Sequence, residues 1–137
     1  DVACMNEGGY SREVPMALAA AVAEAFKPEA TVDSVIEAAK AYAGTKTKEH
    51  IEKAISLAKK YDDGLKAIPE FYDKLLVPKG SEIRILHLKS SSDLIKRFGT
   101  DNISFGEDPF EQVPVALAFF YIGKGDPTKT MIGAANF

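Results

Sequence analysis

Asp108-Pro109-Phe110-Glu111-Gln112-Val113-Pro114-Val115-Ala116-Leu117-Ala118-Phe119-Phe120-Tyr121-Ile122-Gly123-Lys124-Gly125-Asp126-Pro127 is the stretch on which the fold turns. It opens as a strong helix start. Aspartate can cap free N–H groups, proline suits the first helical position, and glutamate lies three residues after the cap. Val113, Val115, Ala116, Leu117, Phe119, Phe120 and Ile122 make the body apolar nearly all round, which predicts deep burial. Gly123-Lys124-Gly125 predicts the stop, and Asp126-Pro127 repeats the cap-and-proline start. Thr130, Met131, Ile132, Ala134 and Ala135 then continue as helix to Asn136-Phe137.

The chain before this stretch also reads as helix. The segment from about Ser11 to Phe26 is rich in Ala, Leu, Met and Glu, with Ser11 as the expected N-cap. Its run of alanines leaves little bulk on any face, which predicts close packing on several sides. A second helix is predicted from Val32 to Ala43, where Val35, Ile36, Ala39 and Tyr42 share a face and Gly44 supplies the stop. A third runs from Thr47 to about Tyr61 on Ile51, Ala54, Ile55 and Ala58, with Asp62-Asp63-Gly64 closing it. A shorter helix is expected from about Ile68 to Leu76, starting near Pro69. Glu82 to Leu88 alternates partly like a strand but has no partner strand, so an extended connection or an irregular helix is expected. Ser92 or Asp93 to Phe98 adds one or two helical turns.

Composition sets outer bounds. The 137 residues are 46% apolar and 27% charged, values of a globular chain rather than a disordered tail. A net charge of -3, with Lys46, Lys48, Lys53, Lys59 and Lys60 interleaved by Glu49, Glu52, Asp62 and Asp63, argues against a nucleic-acid partner. No apolar run is long enough to span a membrane, and the opening Asp1-Val2-Ala3 has no basic leader of a signal peptide. The single cysteine, Cys4, forms no internal disulfide and reads as a small packing residue or a nucleophile. A reducing, cytoplasmic location is the expectation.

No catalytic template is complete in these residues, and no metal ligand is assigned. His50 reads as a solvated side chain and His87 as a structural histidine. Asp62-Asp63 could bind a hard cation but is more economically a turn. The loop Asn6-Glu7-Gly8-Gly9-Tyr10 is the local candidate for substrate binding. It offers an amide, a carboxylate and an aromatic, and it feeds a helix N-terminus whose N–H groups suit a phosphate or sugar oxygen. The same loop can equally be a tight turn that packs Tyr10.

The order Glu111-Gln112-Val113-Pro114-Val115-Ala116-Leu117-Ala118-Phe119, a Gly-Asp turn, then Met131-Ile132-Gly133-Ala134-Ala135-Asn136-Phe137 resembles the ADP-ribosylglycohydrolase family. At the other end a glycine loop closing on an aromatic precedes an Ala-rich helix from about Met16, as in that family. The middle, from about Pro28 to Glu107, matches weakly. The resemblance implies a compact multi-helix all-α fold and hydrolysis of an N- or O-glycosidic bond of ADP-ribose or a related nucleoside or sugar conjugate. It also implies two divalent ions, Mg²⁺ or Mn²⁺, held by an early Asp-Asp motif and a late Gly-x-Asp-Thr-Asp motif. Neither motif lies within these residues, so no metal is expected to bind them alone. Carry-over is limited to Asn6, Glu7, Gly8, Gly9 and Tyr10 on the substrate side. There Ser11-Arg12 stands where the family often has Gly-Ala.

The expectation is therefore a partial all-helical domain over residues 1–137, broken off mid-element at Phe137, whose partners are its substrate and the remainder of its own polypeptide. Two alternatives remain: an inactive family relative serving as a structural or interaction protein, and a free-standing helical binding module.

Overall fold

Local capping chemistry accounts for three of the six described helix starts. In the computed structural model, which describes residues 12–75 and 109–137, six helices are present and no strand occurs among the described residues. These are α1 (Glu13–Ala25), α2 (Val32–Tyr42), α3 (Thr45–Ala58), α4 (Gly64–Lys74), α5 (Pro109–Ile122) and α6 (Pro127–Asn136). The all-α expectation holds for these residues. Residues 76–108, with the expected Glu82–Leu88 connection, His87 and the 92–98 turns, lie outside them, as does Ser11.

Thr31 and Ser34 start α2 reciprocally. The Ser34 N–H donates to Thr31 Oγ1 at 3.0 Å, and the Thr31 N–H donates to Ser34 Oγ at 3.0 Å. Asp126 caps α6 by accepting from the Lys129 N–H at 3.0 Å, with Pro127 in the first turn, as expected. The turn between α5 and α6 closes with a paired C-terminal lock. The Gly125 N–H bonds the Phe120 carbonyl at 3.2 Å, and the Lys124 N–H bonds the Tyr121 carbonyl at 3.0 Å. That lock puts Lys124 at φ 53°, in the left-handed region where glycine is usual.

Three expectations need correction. Gly44 does not stop α2 in a left-handed turn; it is the N-cap of α3, at φ -69° and ψ 169°. The Glu13 carboxylate of α1 occupies the space where a Cβ on Gly44 would stand. That carboxylate lies by the first turn of α3 and accepts from the buried Thr47 hydroxyl at 3.2 Å. An anion there suits the positive end of the helix. Second, Asp62-Asp63-Gly64 opens α4 as well as following α3. Asp63 Oδ1 accepts from the Leu65 N–H at 2.9 Å, so α4 begins five residues before Pro69. Pro69 sits inside the helix on its exposed side, where it removes one backbone bond while Ala67 and Phe71 remain anchored in the core.

The third correction concerns α1. Val14, Ala17 and Ala21 are buried, but Met16, Leu18, Val22 and Phe26 are exposed, so α1 is covered on one side only among the described residues. Its expected N-cap is also displaced, because Arg12 holds the cap position without a side-chain hydrogen bond.

The core has two parts joined by α3 and α5. Val14, Ala17, Ala21, Val35, Ile36 and Ala39 from α1 and α2 meet Ile51, Ile55, Val113 and Leu117. On the opposite faces, Ala54, Leu57 and Ala58 of α3 and Val115, Ala118, Phe119 and Ile122 of α5 meet Ala67, Phe71 and Leu75. Helix α5 therefore touches all five other described helices. The burial read from its apolarity is observed for Val113, Val115, Leu117, Phe119 and Ile122, while Ala116 is exposed and Phe120 half-buried.

Candidate functional site

The five residues singled out for substrate binding, Asn6, Glu7, Gly8, Gly9 and Tyr10, lie outside the described residues, as does Cys4. His50 is half-buried on α3 rather than fully solvated.

One partly polar concavity is built where α4 and α6 begin. Packing α6 against α4 brings the Asp62-Asp63 start of α4 and Lys129 of α6 to one groove of about 370 Å³. Asp62, Asp63, Gly64, Leu65, Lys66, Ile122, Lys129, Ile132 and Gly133 line it. Two glycines make the approach possible. A Cβ on Gly64 would stand 3.1 Å from the Gly133 Cα and 3.1 Å from Phe119 Cδ1, and a Cβ on Gly133 would strike the Phe119 ring. Asp63 is committed to capping, while Asp62 pairs with Lys66 at 3.6 Å. The groove thus offers ammonium and carboxylate groups for a polar ligand. Among the described residues its lining includes no histidine, cysteine, serine or tyrosine.

Sequence reading took Asp62-Asp63 as a turn and passed over Lys129. The available signal was that both aspartate caps open helices. That Asp62 and Lys129 share one groove depends on how the helices pack.

Other ionisable groups near this face act as clamps. Glu70 of α4 accepts from Lys74 Nζ at 2.5 Å, from Lys60 Nζ at 2.9 Å and from the Tyr61 hydroxyl at 2.7 Å. Those three donors, Lys74 foremost, hold its carboxyl down at about 2. A carboxylate kept ionised that far below neutral pH is a poor general acid. It ties the end of α3 to α4 instead. Tyr72 is pushed up by burial and then by the neighbouring Glu111 carboxylate, so it stays a proton donor and gives its hydroxyl hydrogen to the Phe137 carbonyl. The Phe137 ring packs on Tyr72 at 4.8 Å and on Phe119 at 6.1 Å between centroids. Glu111 itself is buried, at 2% exposure, in the first turn of α5.

Among the described residues no group of three or more His, Cys, Asp or Glu side chains could hold a metal ion. Nor is any described helix long and apolar enough to cross a membrane. The residues that carry the family resemblance at the C-terminal end form α5, its turn and α6, with Val113, Pro114, Val115, Leu117, Ala118 and Phe119 buried and Asn136 donating to the Ile132 carbonyl at 2.8 Å. No family model, no curated protein and no solved structure matches this chain.

Proposed function

We propose that these residues are the central and C-terminal scaffold of a hydrolase resembling ADP-ribosylglycohydrolases, which cleaves a glycosidic bond of ADP-ribose or a related nucleoside or sugar conjugate. The observation that carries the reading is the ordered run from Glu111 to Phe137, a valine-proline helix, a Gly-Asp turn and an Ala/Asn-rich helix. All-helical packing around α5, the helix that bears the Val113-Pro114 part of that run, is compatible with it.

In this reading a pair of Mg²⁺ or Mn²⁺ ions would orient the ribose hydroxyls and a water and stabilise charge at the anomeric carbon. The described residues do not fit the role of ligands, because hard cations need converging oxygen donors and no such cluster is found among them. No step through a metal is assigned to them. Their part is to position the end of α6, which Phe137 pins against Tyr72 and Phe119. Substrate contact falls to Asn6, Glu7, Gly8, Gly9 and Tyr10.

The test is release of free ADP-ribose from arginine- and serine-linked ADP-ribosyl peptides by the complete gene product, with Mg²⁺ and with EDTA. Metal-dependent release is expected. Failure on both linkages would overturn the enzymatic reading. A calorimetric titration of the 137-residue chain with Mg²⁺ should show no tight stoichiometric binding. Tight binding would sink the claim that the ligands lie elsewhere.

A second reading, an inactive relative serving as an interaction protein, is favoured by one observation: the exposed apolar side of α1, with Met16, Leu18, Val22 and Phe26.

A further inference from the structure

We draw no further inference here: the strongest candidate, the apolar groove between α1 and α2 lined by Met16, Ala19, Ala20, Ala23, Ala38 and Tyr42, carries nothing because nothing in the structure shows what covers it.

Discussion

Along α5, Val113 and Leu117 face one core, while Val115, Ala118, Phe119 and Ile122 face the other. Along α1, Val14, Ala17 and Ala21 are buried and the bulkier Met16, Leu18 and Val22 point away. Both helices read as strongly apolar, yet α5 is buried on two opposed faces and α1 is covered on a single side. The difference lies in where the bulk sits. Helix α5 carries large side chains on opposed stripes and can fill two interfaces at once. Helix α1 turns a stripe of mostly small residues inward and so lies close against α2, where Ala39 is fully buried. Average apolarity does not decide burial; the distribution of volume around the helix does.

The contrast can be broken or sharpened by substitution, with the largest effect at the centre of α5. Phe119 is 1% exposed, meets Phe71 edge-on at 5.3 Å and rests against Gly133 of α6. Phe119→Ala should cost about 3–5 kcal/mol in urea unfolding, since it removes a large side chain and leaves a cavity. A loss below about 1 kcal/mol would mean that α5 is not the hub. Gly133→Ala tests the same contact from the other side. The added methyl meets the Phe119 ring, and overpacking of this kind costs about 1–3 kcal/mol. A neutral or stabilising result would show that α6 does not approach α5 so closely.

At the end of α5 the expected sign reverses. Lys124→Gly should stabilise by about 0.4–1 kcal/mol, seen as a raised thermal midpoint, because glycine adopts φ 53° without the Cβ penalty. An unchanged or lowered midpoint would count against the left-handed turn.

Acid should act on the α3–α4 clamp beside this core. The folded carboxyl of Glu70 lies at about 2, below its ordinary value of 4.5. Its contribution is therefore present above pH 4.5 and is lost as pH falls through about 2. Glu70→Gln should flatten the thermal midpoint over that acid window more than it changes the midpoint's level at pH 7, because the group is solvent-screened. An acid limb as steep as in the parent chain would assign the pH dependence to other groups.

The smallest effect belongs to the outer face of α1. Val22 is 48% exposed, and Val22→Lys should stay within about 0.5 kcal/mol of the parent in the same urea assay. A loss of several kcal/mol would show that this face is covered, and α1 would then resemble α5 after all.

Much of the fold was legible from residues a few positions apart. The Asp126-Pro127 start and the Gly123-Lys124-Gly125 stop behave as read, whereas the Thr31–Ser34 box, equally local, went unread. The misreadings have a common cause. Gly44 and Gly64 were read as punctuation, one a stop and the other a closing turn, but each opens the next helix beside a group distant in sequence. The Glu13 carboxylate fills the space beside Gly44, and Phe119 with Gly133 crowds Gly64. Pro69 looked like a beginning because proline prefers one, while the Asp63 cap earlier in the chain starts α4. For the site, Asn6, Glu7, Gly8, Gly9 and Tyr10 came from residue chemistry and family order, which say what could bind. The α4–α6 groove was not legible, since Asp62 and Lys129 share it only through helix packing.

The sequence by itself determined the helical class, most of the helix ends and the burial of α5. Caps and apolar periodicity act over three or four residues and are written locally. Only the tertiary structure decided which side of α1 is covered, where the Glu13 carboxylate lies and how Phe137 is held. The contacts responsible join Thr47 to Glu13 across 34 positions and Tyr72 to Phe137 across 65. Such pairings follow from fitting volumes and satisfying polar groups between helices, quantities that no single stretch of the chain contains.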